Sequence, residues 1–124
     1  MQSREVVLPP DIESPRRARR FVEHALTAGA AEIGDVVALL VSEVVTNAVL
    51  HARTEVHVRI GLDDRTVRVE VADRCPAGPH KAPAMRQAST GRGMMLVEEL
   101  ADAWGTEARG DGKVVWFEVA PGSS

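Results

Sequence analysis

The sequence predicts an α/β (α+β) sandwich of two layers, in which a mostly antiparallel, mixed sheet carries helices on one face. The first observation is the order of the segments, which is β-α-α-β-β-loop-α-β-β along the chain. The second is that consecutive strand segments are joined by short turn sequences, which connect antiparallel strands. The third is that the helical segments carry apolar stripes, and such a stripe is readily buried against one face of a sheet.

The composition indicates one ordered domain. Of the 124 residues, 44% are hydrophobic and 27% are charged, as in ordinary globular domains and unlike disordered chains. We therefore predict a single domain over residues 1–124. The formal net charge of −3 and the aromatic content of 3% disfavour direct binding to nucleic acid. The single cysteine, Cys75, excludes an internal disulfide and, with no Cys/His cluster near it, argues against a structural zinc site.

The hydropathy pattern indicates the cellular compartment of the protein. The apolar runs are shorter than the roughly 18 residues that a membrane helix needs. Residues Met1–Pro10 lack the layout of a signal peptide. We therefore expect a cytoplasmic protein without a membrane partner.

The chain begins with a strand and a helix. Residues Arg4–Leu8 predict a strand that ends at Pro9-Pro10, because proline has no N–H for a ladder. Ser14 is the expected N-cap of an amphipathic helix, with Pro15 at the first helical position and Gly29 beyond its end. The outer face of this helix carries four arginines, Arg16, Arg17, Arg19 and Arg20. We interpret them as a solvated face, with partner docking as the less favoured alternative.

The middle of the chain predicts a buried helix and a hairpin. From about Asp35 to about Ala52 the sequence is apolar around much of a helical circumference, which favours burial. Residues Thr54–Leu62 and Thr66–Ala72 alternate between apolar and polar, as strands do. Asp63-Asp64 is the expected turn between them.

The last third predicts a loop, a helix and a final strand. Asp73–Thr90 contains three prolines and no period, which indicates a long loop of the kind that is usually functional or mobile. A third helix is expected from near Gly93, and Gly110–Gly112 turns the chain into a strand over Lys113–Val119. The helix should place one apolar face inward, formed by Val97, Leu100, Ala101 and Trp104.

Glu43, Asn47 and His51 form a polar stripe on the second helix, because they are spaced at i, i+4 and i+8. Two interpretations remain open from the spacing. Glu43 lies at the helix surface, where a carboxylate costs nothing, or the stripe faces a cleft. In a cleft, Asn47 could offer an oxygen to a hard cation such as Mg²⁺, and Glu43 could act as a general base.

Two further segments could bind parts of a nucleotide. Asp73 follows a strand directly and could accept a hydrogen bond from an exocyclic amine, although on local grounds a turn-forming aspartate is the favoured interpretation. Thr90–Gly93 precedes a helix, where glycine N–H groups and the charged Arg92 could approach a phosphate; an ordinary helix start is the alternative. The chain has no Walker A, strand-GxGxxG-helix or GxSxG signature.

Four segments together resemble the boxes of the GHKL ATPase family in order and spacing. They are Ser42–His51, Asp73, Thr90–Val97 and Gly112–Glu118. The chain is most similar to the small bacterial anti-sigma factor serine/threonine kinases, including the short regulators of actinobacteria. The resemblance covers about Leu8 to Val119. It implies a Bergerat-type ATP-binding fold that binds ATP with Mg²⁺ between the helices and the sheet.

The resemblance also implies roles for individual residues. Glu43 would be the general base, Asn47 would hold Mg²⁺, and Asp73 would bind the adenine amino group. Gly91 and Gly93 would frame the phosphates in a mobile lid. The full nucleotide-binding set would be Asn47, His51, Asp73, Cys75, Ala77, Gly91, Arg92, Gly93 and Met94.

Three positions depart from the family pattern. Cys75 and Ala77 stand where small residues, usually glycine, are found, and their Cβ atoms keep the backbone further from adenine. Val114 stands where threonine is usual, and the resemblance implies that its hydroxyl helps the aspartate bind adenine. Losing such a hydrogen bond costs about 0.5–1.5 kcal/mol, so we expect weakened ATP binding.

The partners implied by the resemblance are a sigma factor and an anti-sigma-factor antagonist that accepts the phosphoryl group, with ATP and ADP as ligands and a homodimer as an option. A regulatory module that binds its partner with little or no nucleotide is the alternative, which Cys75 and Val114 permit, whereas the retained motif residues favour the kinase. A histidine-kinase catalytic domain is less favoured, since we expect no phosphoacceptor helix pair before Met1.

Overall fold

A computed structural model describes residues 2–26, 33–51, 53–63, 66–74, 92–110 and 112–120. Within these ranges the chain forms five strands and three helices in the predicted order. The elements are β1 (Gln2–Leu8), α1 (Ser14–Ala25), α2 (Gly34–His51), β2 (Val56–Asp63), β3 (Thr66–Asp73), α3 (Arg92–Leu100), β4 (Ala103–Arg109) and β5 (Gly112–Val119). The predicted turn residue Asp64 and most of the predicted loop, from Cys75 onward, lie outside the described residues.

The five strands form one sheet in the order β1-β2-β3-β5-β4. All four described strand pairings are antiparallel, so the predicted two-layer class is confirmed and the expected mixed character of the sheet is wrong. The consecutive strands β2–β3 and β4–β5 form antiparallel hairpins. The longer connections, from β1 through α1 and α2 to β2 and from β3 through α3 and β4 to β5, also bring the chain back in the opposite direction. Strand β3 is central, with β2 and β5 on its two sides.

One face of the sheet carries the helices and the core. Alternate residues of β3 are buried there, namely Val67, Val69 and Val71, and they are opposed across the β3–β5 pair by Val119, Phe117 and Val115. The period-2 pattern of the sequence produces this alternation, because successive strand side chains point to opposite faces. Helices α1 and α2 pack against each other and contribute the other half of the core.

Helix α2 is the most apolar element of the described chain. Over its 18 residues the mean hydropathy is 1.4, a value that composition by itself would allow for a membrane span. Its buried residues are Val37, Ala38, Leu40, Val41, Val44, Val45, Asn47 and Ala48. Contacts with α1, α3 and the sheet account for this apolar character.

The start of α1 differs from the prediction, because Ser14 is not its N-cap. Glu13 occupies that position and makes no side-chain cap hydrogen bond. The Asp11 carboxylate instead accepts the N–H of Glu13 at 2.9 Å, and the buried Ser14 hydroxyl donates to the carbonyl of Pro9 at 2.6 Å. The serine therefore ties the helix to the end of β1, which a local capping pattern does not reveal.

The end of α3 also differs, because Ala101 and Trp104 are not helical. The N–H of Ala101 closes the last turn on Val97, and Trp104 lies in β4 opposite Phe117. Asp102 makes the transition: its N–H donates to the carbonyl of Glu118 at 2.8 Å, and its carboxylate accepts the N–H of Ala120 at 2.7 Å. Pairing with β5 therefore determines the conformation of this segment, although its apolar residues are spaced as in a helix.

Candidate functional site

The polar stripe of α2 lies along the border of its buried face. Glu43 is half-buried, Asn47 is 9% exposed and His51 is exposed. This gradient follows from the sequence, since the neighbouring positions Val44 and Ala48 are in the core. The intermediate exposure of Glu43 is compatible with both interpretations, and the stripe enters the domain at Asn47.

Asn47 has an unsatisfied amide. Its Nδ2 atom is buried and has no hydrogen-bond partner among the residues that the structure describes. Leaving such a group unpaired costs about 1–3 kcal/mol, so it calls for a functional explanation. The neighbouring hydroxyls differ, because Thr46 donates to the carbonyl of Ser42 and Ser42 donates to that of Leu39. Asn47 is thus the residue of this turn whose side-chain donor has no partner among the described residues.

The chemistry of this stripe fits Mg²⁺ with a nucleotide. Turning the Asn47 amide by half a rotation exchanges its oxygen and nitrogen, and an amide oxygen is a ligand that Mg²⁺ accepts. Among the described residues no group of three or more His, Cys, Asp or Glu side chains could hold a metal by itself. A site of this kind suits Mg²⁺, which is commonly held by one or two protein ligands together with phosphate oxygens and water.

Asp73 is buried in an ion pair at the end of β3. The Nζ atom of Lys113 lies 2.8 Å from its Oδ2 atom, and the two side chains are 15% and 3% exposed respectively. The antiparallel register sets the two residues directly opposite each other on the helix-facing side of the sheet. The carboxylate expected to accept the adenine amine therefore already accepts a hydrogen bond from an ammonium group.

Lys113, which lies in the last of the four matching segments, was given no role in the sequence-based prediction. A signal for it was present in the sequence, because Lys113 continues the alternation of Val115, Phe117 and Val119 and so occupies an inward position of β5. A lysine at such a position needs a buried acid. Only the pairing of β5 with β3 identifies that acid as Asp73.

The same register corrects the expectation for Val114. Its backbone partner is Ala72, so its side chain and that of Asp73 point to opposite faces of the sheet. A hydroxyl at position 114 would not share the hydrogen-bonding site of Asp73. The residue next to the carboxylate is Lys113.

Gly112 allows the close approach of β5 to the end of β3. A Cβ atom at this position would overlap the backbone carbonyl of Asp73 and come within 2.7 Å of its carbonyl carbon. Backbone atoms cannot move aside as a flexible side chain can. Gly112 therefore permits the strand ends to lie in close contact where Asp73 meets Lys113.

We expect Gly112→Ala to lower the free energy of unfolding by about 1–3 kcal/mol, because the added methyl forces β3 and β5 apart. Urea denaturation of the two proteins measures this change. Gly34→Ala is the matched control, since a Cβ there meets no atom within 4 Å and alanine is favourable in a helix. Equal midpoints for the wild type and Gly112→Ala would contradict the close approach.

The N-terminus of α3 lies at the predicted phosphate segment. The helix begins at Arg92, and Val97 anchors it in the core. Free N–H groups of a first helical turn bind anions, which suits this position to phosphate. The predicted site residues Cys75, Ala77 and Gly91 lie outside the described residues, and for Arg92, Gly93 and Met94 the structure describes the backbone path.

The opposite face of the sheet carries a charged network. The Arg68 guanidinium lies 4.3 Å from the ring centre of Trp116 and donates to Glu118 at 2.8 Å and Glu70 at 3.2 Å. Burial lowers the pKa of Arg68, but its hydrogen bonds to Glu118 and Glu70 outweigh that effect and raise the pKa above its ordinary value. Arg68, Glu70 and Glu118 line a cleft of about 520 Å³. Since these charges pair with one another, the network is better suited to stabilising the sheet than to binding a ligand.

Comparison with known proteins identifies a matching family and solved structures of similar fold. Residues 8–119 match the histidine kinase-like ATPase domain family. The fold is similar to the RsbU and RsbW domains of Rv1364c from Mycobacterium tuberculosis, with a TM-score of 0.70, 22% identity and coverage of 97% of this chain and 32% of that chain. It is also similar to the histidine kinase domain of the blue-light-activated kinase EL346 from Erythrobacter litoralis, with a TM-score of 0.52, 23% identity and coverage of 90% and 61%.

The chain thus spans about a third of the first of these structures and somewhat under two thirds of the second. No curated protein matches the sequence. The family match covers nearly the whole chain and all four segments of the predicted GHKL pattern. The chain therefore belongs to the histidine kinase-like ATPase domain family.

Proposed function

We propose that this protein is an ATP-binding regulator of the anti-sigma type, which phosphorylates a serine or threonine of an anti-sigma-factor antagonist and also binds a sigma factor. The observation that carries the nucleotide part is the buried amide nitrogen of Asn47, which has no partner in the described part of the chain and lies one turn of α2 from the half-buried Glu43. Membership of the ATPase family supports it. The similarity in fold to a structure that contains an RsbW domain supports the regulatory part.

Each of three groups among the described residues would have a separate role in the proposed reaction. Asn47 would hold Mg²⁺, whose charge would offset that of the phosphates. The N–H groups at the start of α3 would orient the transferred group. Glu43 would accept the proton of the attacking serine or threonine hydroxyl. The oxygen of that hydroxyl would bond to the γ-phosphorus while the bond from phosphorus to the β,γ-bridging oxygen breaks, and ADP would leave.

A second candidate is a regulatory module that binds its partner without phosphoryl transfer. The specific observation in its favour is the Lys113 ammonium on Asp73, because that ion pair takes up part of the acceptor capacity expected for adenine. The two candidates differ in nucleotide affinity and in transfer, whereas both require partner binding.

Calorimetry with the full chain tests the nucleotide part. We expect Mg-ATP to bind, the affinity to fall when EDTA removes Mg²⁺, and the melting temperature to rise with ATP concentration, since a ligand of the native state stabilises it. Absence of both the heat and the melting shift at millimolar Mg-ATP would favour the regulatory module. Transfer is then tested with radiolabelled ATP and the antagonist.

The arginines of α1 provide a test of partner docking. Arg19 lies 3.8 Å from Glu23, whereas Arg16, Arg17 and Arg20 are exposed and form no ion pair with the described residues. We expect that changing these three to serine leaves capture of the antagonist unchanged, because a solvated face contributes little to binding. A pull-down at low and at physiological salt measures this. A loss of capture that grows as the salt is lowered would instead identify an electrostatic docking surface.

A further inference from the structure

The Asp73–Lys113 pair places an acceptor and a donor side by side where the proposed function needs to recognise a base. The Asp73 Oδ2 and Lys113 Nζ atoms are 2.8 Å apart, and both side chains lie on the helix-facing side of two paired strands. We propose that Lys113 is a specificity-determining residue that lets this site accept 6-oxopurine nucleotides, such as GTP and ITP, as well as ATP. This inference rests on the proposed nucleotide binding and extends it to the choice of base.

The chemistry of the bases leads to this proposal. Adenine presents an amino donor at C6 beside the acceptor N1, whereas guanine presents the acceptor O6 beside the donors N1–H and N2–H. A carboxylate without a neighbouring donor suits the adenine amine, but it repels O6 because two acceptors face each other. An ammonium beside the carboxylate removes that repulsion, since it donates to O6 while the carboxylate accepts from N1–H and the 2-amino group.

The pair can also serve adenine. In that case the carboxylate accepts the 6-amino group and the ammonium donates to N1. Lys113 has three N–H donors, and within the described chain its hydrogen bond goes to Asp73, which leaves donors for a base. Because its side chain is 15% exposed, part of Lys113 remains open to a ligand.

The position of Lys113 in the sheet fixes the relative positions of the donor and the acceptor in this pair. Lys113 and Asp73 are opposed across the central β3–β5 pairing, and Gly112 permits the two backbones to lie in close contact. A charged donor held in this way discriminates more strongly than one on a mobile loop, because little conformational freedom is lost on binding.

The experiment measures the dissociation constants of Mg-ATP, Mg-GTP and Mg-ITP by calorimetry on the full chain. For the wild type we expect GTP and ITP to bind within about tenfold of ATP. Lys113→Met should weaken GTP and ITP by about 10- to 100-fold, the range for a hydrogen bond to a charged group, while ATP changes by less than about tenfold. Lys113→Gln keeps an N–H donor without the charge and should retain part of the GTP binding.

Arg59→Met is the matched control, because Arg59 is an exposed cation on the other face of the same sheet and its loss should change none of the three constants. If Lys113→Met does not fold, the dissociation constants of Lys113→Gln for the three nucleotides provide the test. Wild-type protein that binds ATP but binds GTP more than about 100-fold more weakly overturns the proposal, as does an equal effect of Lys113→Met on all nucleotides. Binding of no nucleotide by any variant would contradict the proposed function itself.

Discussion

Glu43→Gln should lower the rate of phosphoryl transfer to the antagonist by about 10²- to 10⁴-fold, the usual contribution of a general base. Glutamine keeps the size and much of the polarity of glutamate at this half-buried position, but it cannot accept the proton of the attacking hydroxyl. The variant should bind Mg-ATP with nearly unchanged affinity, because no adenine contact depends on Glu43 in the proposed arrangement. Single-turnover transfer of labelled phosphate measures the rate, and calorimetry measures the affinity.

Glu98→Gln is the matched control for this experiment. Glu98 is an exposed carboxylate on α3, and its replacement removes the same charge from a different helix. Equal transfer rates for wild type and Glu43→Gln would show that the assigned base is wrong. Binding of the antagonist without transfer by the wild type would leave the regulatory module as the function.

Asn47→Ala should separate nucleotide affinity from protein stability. We expect Mg-dependent ATP binding to weaken by about tenfold or more, because the variant loses the amide oxygen proposed to hold Mg²⁺. Its stability without nucleotide should stay within about 1 kcal/mol of the wild type, since the change also removes a buried donor that lacks a partner among the described residues. Calorimetry with and without EDTA and urea denaturation measure the two quantities.

Asn47→Asp makes the complementary change. The carboxylate keeps an oxygen for Mg²⁺, so Mg-ATP affinity should fall less than in Asn47→Ala. Without Mg²⁺, however, a buried charge replaces a neutral amide, and the free energy of unfolding should decrease. If Asn47→Ala binds Mg-ATP as well as the wild type does, Asn47 is not the Mg²⁺ ligand and its buried amide needs another explanation.

Local patterns in the sequence predicted most of the architecture. The alternation of Val56, Val58 and Ile60 predicted a half-buried strand, and the structure buries all three on the helix-facing side. The apolar circumference of α2 predicted a buried helix within one residue at each end. These features depend on neighbours in the chain, which is why they can be read without the fold. The prediction of a helical Trp104 was wrong, because pairing with β5 decided that residue's conformation.

The sequence by itself determined the order of the elements, the polar stripe of α2 and the ATPase family, because each depends on residue types at fixed spacings along the chain. The tertiary structure decided which polar groups are buried and which meet. Asn47 lacks a partner among the described residues because α2 is packed in the core. Asp73 meets Lys113, 40 positions away, only through the β3–β5 register. Since a shift of one residue would turn Lys113 to the other face, no local pattern could identify this pair.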